Sequence, residues 1–346
     1  MRHPVSLRVL PFVLLTILLS ACGGGGGAPV TPMSPAAAPV SPGGNAAAGE
    51  FTIVVLPDTQ YYSQESNGAS LAMFTAQTNW IAANRSAMNI RAVVGVGDIV
   101  QCGGSEAEWA KADGAYKALD GAGIPYLPTI GNHDYDGNCG DMGAGRSAGN
   151  YNRWFGPARL AGHSWYGGSS FPAGSHENFF IRFDAGDRKF LALALEFYPR
   201  DAALSWAQSV IDANPDREVI MVTHACVNTN GQFIGLLEPK GPLAYQLLDG
   251  NDGQGIWNKF VRRNSRIVAL VNGHLHGTGR MVLNNDAGRP VPMMLSNFQA
   301  EANGGNGYLR VLKFRPSAGV IEVTTFSPFL NQSRTDDANQ FSVPYR

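Results

Sequence analysis

Residues 129–140, TIGNHDYDGNCG, bring an apolar run to its end and then break into Gly-Asn-His-Asp. A buried strand that gives way to an amide, an imidazole and a carboxylate has the pattern of an open α/β sheet, whose binding loops leave the carboxyl ends of its strands. The same transition recurs along the chain. Phe51–Leu56 (FTIVVL) leads into Asp58-Thr59-Gln60, and Ala92–Val96 into Gly97-Asp98. Glu218–Thr223 leads into His224, and Arg266–Val271 into Gly273-His274-Leu275-His276. Between these strands, Leu71–Asn84 has helical spacing, and Ser105-x-x-Glu108 is a capping box that opens a helix ending near Gly121. Further helices are expected over Asp201–Ala213 and Gly255–Asn264. This order predicts parallel βαβ units.

The remaining strands are expected at Tyr126–Ile130, Asn178–Phe183, Lys189–Leu195, Arg280–Leu283, Val291–Leu295, Tyr308–Phe314 and Val320–Thr325. Residues 135–177 read differently: glycine-rich, without a strand, yet carrying Tyr151, Trp154, Phe155, Trp165, Tyr166 and Phe171. So aromatic a segment is expected to be an ordered cover over the site rather than a loose loop. With no internal repeat and no second linker, residues 50–346 are expected to form one domain.

The chain has 346 residues, 44% hydrophobic and 15% charged, enough to bury a substantial core. Its net charge is −1, and −3 without Arg2 and Arg8, so no basic stripe suited to a nucleic-acid backbone is present. No feature of the sequence fixes an oligomeric state. Arg2 and Arg8 precede the apolar Val9–Leu19, which is too short to span a bilayer. Leu19-Ser20-Ala21-Cys22 then resembles the lipobox of bacterial lipoproteins. The resemblance implies a signal peptide over 1–21, lipid on Cys22 as a membrane anchor, and, with Gly23 following, an outer-membrane location facing the periplasm. Residues 22–49 read as a Gly/Pro/Ala-rich tether reaching roughly 90 Å when extended. Of the other cysteines, Cys102 and Cys139 each lie just beyond a motif and are the pair favoured for a disulfide, with Cys226 left over.

Taken together, the order D-x-Q, G-D, G-N-H-D, H, G-H-x-H resembles the calcineurin-like metallophosphoesterase superfamily, from about Phe51 through the C-terminal strands. The resemblance implies a four-layer α/β/β/α sandwich of two mixed sheets around two divalent or trivalent metal ions (Mn, Fe or Zn), acting on a phosphate ester. It implies that Asp98 bridges the ions, that Asp58, Gln60 and His276 hold one, and that Asn132, His224 and His274 hold the other. Two carboxylates leave the pair under-neutralised, which suits a phosphate ester and a metal-bridging hydroxide. His274 and His276, two apart in an extended segment, are expected to point the same way. His133 is the expected general acid, with Asp134 orienting its ring and Gly131 supplying freedom to turn.

Gln60 stands where many members of the superfamily have histidine, and offers a harder oxygen. Gln101, three residues after Asp98, is not the tyrosine of purple acid phosphatases, which argues against a tyrosinate–iron centre. Arg200, in LEFYPRD, is a candidate phosphate clamp, with an ion pair to Glu196 as the plainer alternative. The rival functional reading is a surface lipoprotein that keeps the sandwich as a binding scaffold without turnover.

Overall fold

Strand β6 (Arg188–Leu195, RKFLALAL) carries its burial on two faces. Phe190, Ala192 and Ala194 belong to one apolar cluster. Leu191, Leu193 and Leu195 belong to another. A strand whose alternate residues are both apolar is stable only when covered on both sides. β7 (Glu218–Thr223) repeats the pattern, with Ile220 and Val222 on the first face and Val219 and Met221 on the second.

The computed structural model describes residues 49–346 except 138 and 141–144. Cys22, the signal peptide and the tether up to residue 48 lie outside the described residues. The elements before β6 are β1 (Phe51–Leu56), α1 (Gln60–Gln64), α2 (Leu71–Asn84), β2 (Ile90–Gly95), α3 (Glu106–Ala122), β3 (Tyr126–Pro128), α4 (Gly149–Phe155), α5 (Pro157–Leu160), β4 (Tyr166–Phe171) and β5 (Asn178–Ala185). Around and after β7 come α6 (Asp201–Ala213), α7 (Gly253–Lys259), β8 (Ile267–Asn272), β9 (Gly277–Asn284), β10 (Pro290–Asn297), β11 (Leu309–Arg315), β12 (Val320–Ser327), β13 (Gln332–Arg334) and β14 (Phe341–Pro344).

These strands form two seven-stranded mixed sheets. One runs β13-β12-β11-β1-β2-β3 with β14 also on β12, and the other runs β4-β5-β6-β7-β8-β10-β9. Their inner faces meet where the Phe51 ring, stacked on Phe314 of its own sheet at 4.6 Å, lies 4.8 Å from Phe190 of the other. On the outer face of the second sheet, Leu204, Ala207 and Ile211 of α6 pack with Ile256 and Trp257 of α7 against the β6 leucines. The expected four-layer α/β/β/α sandwich is the observed fold.

Register puts the loops in place. β1 pairs with β2 in parallel at Leu56–Gly95, and β2 with β3 at Gly95–Pro128. From that common rung Asp58, Asp98 and Asn132 emerge two, three and four residues on. In the second sheet Val222 pairs with Val271, and His224 and His274 emerge two and three residues on.

The expected cover over 135–177 departs from the sequence reading. It contains α4, α5 and a strand, β4, whose Gly167-Gly168 kink broke the alternation. Most of its aromatics join the core: Tyr151 and Phe155 are buried in it and pack on Trp109, and the half-buried Trp165 ring lies 5.4 Å from Tyr126. His163 stacks on Trp165 at 4.5 Å, while buried His176 lies between Phe155 O and the Tyr166 hydroxyl.

The two faces of β6 give a test. Leu193→Ala is expected to cost about 2–5 kcal/mol through the cavity it leaves. Ala194→Leu is expected to cost about 1–3 kcal/mol by overfilling the gap between the sheets. Denaturant unfolding measures both, and a neutral Ala194→Leu contradicts close packing of the inner face.

Candidate metal centre

Three glycines make room for the site. A Cβ on Gly97 would lie 2.6 Å from His224 Nδ1, one on Gly131 2.3 Å from Asp98 Oδ1, and one on Gly273 2.1 Å from Asp58 Oδ1. Gly97 also has a φ of +105°. The reason for Gly131 differs from the expected one: its φ of −106° and ψ of −179° suit any residue, so the position demands small size, not freedom to turn. Two non-glycine residues at the site, Asp98 (φ 51°) and His274 (φ 75°), adopt the left-handed conformation, a local strain that the surrounding bonds must hold.

Asp98 and Asp58 are both buried. Asp98 Oδ1 accepts from His133 N at 2.9 Å, and its Oδ2 lies 3.2 Å from His224 Nε2. Asp58 Oδ2 accepts from His274 N at 3.0 Å and from Asn297 Nδ2 at 2.7 Å. Ligating atoms of Asp58, Asp98 and His224 all lie within 4.8 Å of one another. His224 Nδ1 donates to Val96 O at 2.8 Å, which turns Nε2 toward the carboxylates.

Among the described residues, the buried side-chain atoms without a hydrogen-bond partner include four at this site: Asp58 Oδ1, Gln60 Oε1, Asn132 Oδ1 and His224 Nε2. Buried polar atoms normally find one. Four donor atoms on three loops, those after β1, β3 and β7, fit a divalent cation once His224 Nε2 gives up its proton, since oxygen and imidazole nitrogen are its usual donors.

The two histidines of G-H-x-H differ in burial. His274, in the left-handed conformation, is buried, its ring 5.0 Å from His224 and 5.0 Å from Phe197, whereas His276 is exposed. His274 Nε2 donates to Lys240 O at 3.1 Å, leaving Nδ1 free to ligate.

The expectation for Asp134 is not met either. Its carboxylate does not touch the His133 ring. It accepts from Ile99 N at 2.8 Å, Val100 N at 3.1 Å and Gly131 N at 2.8 Å, tying the loop after β2 to the loop after β3. His133 is oriented instead by its Nδ1 donating to Gln101 O at 2.8 Å. The ring packs so closely on Gly140 that a Cβ there would lie 2.3 Å from it. The disulfide joins Cys102 to Cys139, the neighbours of Gln101 and Gly140, so it brackets the His133 ring. Glu108 departs from the capping box as well: Ser105 caps the helix, but the Glu108 carboxylate accepts from Gln101 N and Cys102 N.

Arg200 is committed to Glu196, donating from Nε at 2.8 Å and Nη2 at 2.7 Å, so its guanidinium makes the plainer ion pair rather than standing open as a clamp. Asn297, at the end of β10, escaped the sequence reading, although it obeys the rule that found the others: a polar residue at the carboxyl end of a strand parallel to its neighbour.

Burial sets the proton positions. It pushes Asp58 well up and lifts Asp134 to about 8, with the Asp98 charge adding to both. Burial opposes the charge of Asp98 too, but His224 and His133 outweigh it and hold Asp98 ionised. For His224 burial is likewise outweighed, by Asp98, and its pKa rises to about 9. Burial and the neighbouring His224 keep His274 neutral, at about 3.

Residues 51–278 match the family model described as calcineurin-like phosphoesterase. Over 297 residues the chain is 28% identical to YvnB, an uncharacterized protein of Bacillus subtilis, covering 84% of this chain and 21% of that one. The chain thus spans about a fifth of the length of that curated relative. Among solved structures it is similar to a dimetal phosphatase from Danio rerio, with a TM-score of 0.54 and 14% identity over 86% of this chain and 99% of that one. It is also similar to purple acid phosphatase PPD1 from yellow lupin seeds, with a TM-score of 0.51 and 14% identity over 87% of this chain and 55% of that one. At this identity the two structures speak for the fold.

Asp58, Asp134 and His224 all bind a proton more tightly in the folded chain. Stability they contribute is therefore present at low pH and lost as pH rises, through about 8 for Asp134 and about 9 for His224. Metal-free protein is expected to show a falling Tm from pH 6.5 to 9. Excess Mn2+, which needs the deprotonated ligands, should raise Tm by an increment that grows with pH. Scanning calorimetry in chelator and in Mn2+ checks both, and a flat metal-free profile contradicts the proton assignment.

Proposed function

The chain belongs to the calcineurin-like phosphoesterase family, and on that premise we propose that it is an extracytoplasmic phosphoesterase that hydrolyses a phosphate mono- or diester with two bound metal ions. One observation carries this reading: the four donor atoms without a hydrogen-bond partner, on Asp58, Gln60, Asn132 and His224, that the loops after β1, β3 and β7 bury beside the loop of Asp98. Asp58, Gln60 and His276 would hold one ion, and Asn132, His224 and His274 through Nδ1 the other, with Asp98 between them. Bound there, the ions supply positive charge for the phosphoryl oxygens and a nucleophile at neutral pH.

The chain's own residues do the rest. His133 keeps Nδ1 on Gln101 O, so Nε2 is the atom from which a proton passes to the departing alkoxide. Asp134 contributes at one remove, by fixing the loops that carry Asp98 and His133. Phe197 and Tyr245 wall the site beside His274, restricting water there. Partial burial of the otherwise exposed His276 ring, and next the Lys240 ammonium, make its proton easier to lose, and the exposed Lys240 offers a cation at the rim for an anionic substrate.

Two features support an extracytoplasmic, lipid-anchored setting: the signal-like residues 1–22 and the Cys102–Cys139 disulfide, a bond that persists in oxidising compartments. The non-catalytic scaffold has no observation in its favour, because the open donor set and the oriented His133 are both intact.

Elemental analysis of purified protein beside a panel of p-nitrophenyl and alkyl mono- and diesters tests the reading. His133→Ala is expected to retain its metal and to lose about 100- to 10,000-fold in kcat on alkyl esters. The loss should be much smaller for p-nitrophenyl esters, whose leaving group needs no proton. Metal without turnover of any ester sinks the enzymatic reading, and equal losses on both ester types remove the acid role of His133.

A further inference from the structure

We infer that Asn297 is a positioning residue for the metal site that Asp58 serves, contributed by a strand beyond the segment that defines the family. The inference rests on the metal-binding reading proposed above. Residues 51–278 carry the family match, whereas Asn297 closes β10, 19 residues further on. β10 lies parallel to β8, with Asn272 opposite Leu295. His274 and Asn297 each stand two residues past that rung, level with one another at the edge where the donors gather.

The Asn297 side chain is fully buried, and every polar atom of it has a partner. Oδ1 accepts from Gln299 N at 2.9 Å. That bond fixes which end of the amide faces which way, because an N–H donor demands the oxygen. Nδ2 must therefore face Asp58, and it donates to Asp58 Oδ2 at 2.7 Å and to His274 O at 3.4 Å.

With His274 N also donating to it at 3.0 Å, Asp58 Oδ2 has two donors and Oδ1 has none. A free carboxylate can rotate and offer either oxygen. Here one oxygen is taken and the other is aimed, so the ligand is set before an ion arrives. The contact to His274 O ties the same amide to the backbone of a residue expected to hold the other ion. Partners of this kind typically carry about 10- to 100-fold in metal affinity.

The test is calorimetric titration of full-length, chelator-stripped protein with Mn2+. The proteins compared are wild type, Asn297→Ala, Asn297→Leu, Asp58→Asn and the Asp58→Asn/Asn297→Leu double variant. Leucine has the same branched shape, though larger, and fills the site while removing the donor, so agreement between the alanine and leucine variants separates the lost hydrogen bond from a cavity or an overfilled site. Each single Asn297 variant is expected to weaken Mn2+ binding at one site by about 10- to 100-fold. In the double variant the loss should be no greater than for Asp58→Asn alone. Wild-type affinity in either folded Asn297 variant overturns the inference. So does a loss that adds in full to that of Asp58→Asn, because it marks a general structural role. If neither single variant folds, the cycle is run with Asn297→Ser, judged by the same two criteria. Wild-type protein that shows the expected pattern but hydrolyses no ester removes the phosphoesterase reading and leaves this inference standing. Wild-type protein that binds neither Mn2+ nor Zn2+ removes both.

Discussion

The carboxylate of Asp98 joins the two sheets at the point where their strands end. Through Oδ1 it holds the backbone of His133, from the loop after β3, and through Oδ2 it faces His224, from the loop after β7. A charge in the interior carries a large desolvation cost unless it is paired and hydrogen-bonded, and Asp58 and Asp134 lie buried nearby. The local architecture can be understood as the means of keeping this crowd of acids in place. Glycines at 97, 131 and 273 let the backbones come close enough, and the left-handed Asp98 and His274 turn their side chains inward.

The loop that follows Asp98 shows how firmly that arrangement is held. The amides of Ile99, Val100, Gln101 and Cys102 all donate to carboxylates, the first two to Asp134 and the last two to Glu108. Four consecutive N–H groups satisfied by two buried or half-buried acids leave the segment little conformational freedom. Its one carbonyl aimed at a catalytic group, that of Gln101, receives the His133 Nδ1 proton. The ring of the proposed acid is thus positioned by main chain rather than by a neighbouring carboxylate, and so needs no further buried charge.

Much of this was legible in the sequence wherever periodicity and punctuation agreed. Phe51–Leu56, Leu71–Asn84, Asp201–Ala213 and Glu218–Thr223 form the elements that their spacing predicts. The residues that meet at the site were legible for a similar reason, since polar groups had no other cause to stand at so many strand ends. What escaped was anything decided by a single dihedral angle or by competition for a hydrogen bond. The left-handed His274 interrupts the extended segment that alternation assumes, and the two histidines of the motif differ in burial. Asp134 sits beside His133 in the chain, yet three backbone amides claim its oxygens first. β4 was hidden by its glycines, and Asn297 by its distance from every recognisable motif.

The pairing of β1 with β11 carries a consequence for how the protein is made. Phe51 lies opposite Phe314 and Val55 opposite Arg310, so a central strand of the first sheet waits for a partner some 260 residues downstream. During synthesis, β1 and β2 leave the ribosome long before that edge can be closed, and contacts so distant along the chain are slow to form. In the interval the apolar FTIVVL strand presents unpaired amides to any other chain, a hazard that binding by a chaperone or delayed compaction relieves. A fragment trimmed to the motif-bearing region would make that transient state permanent.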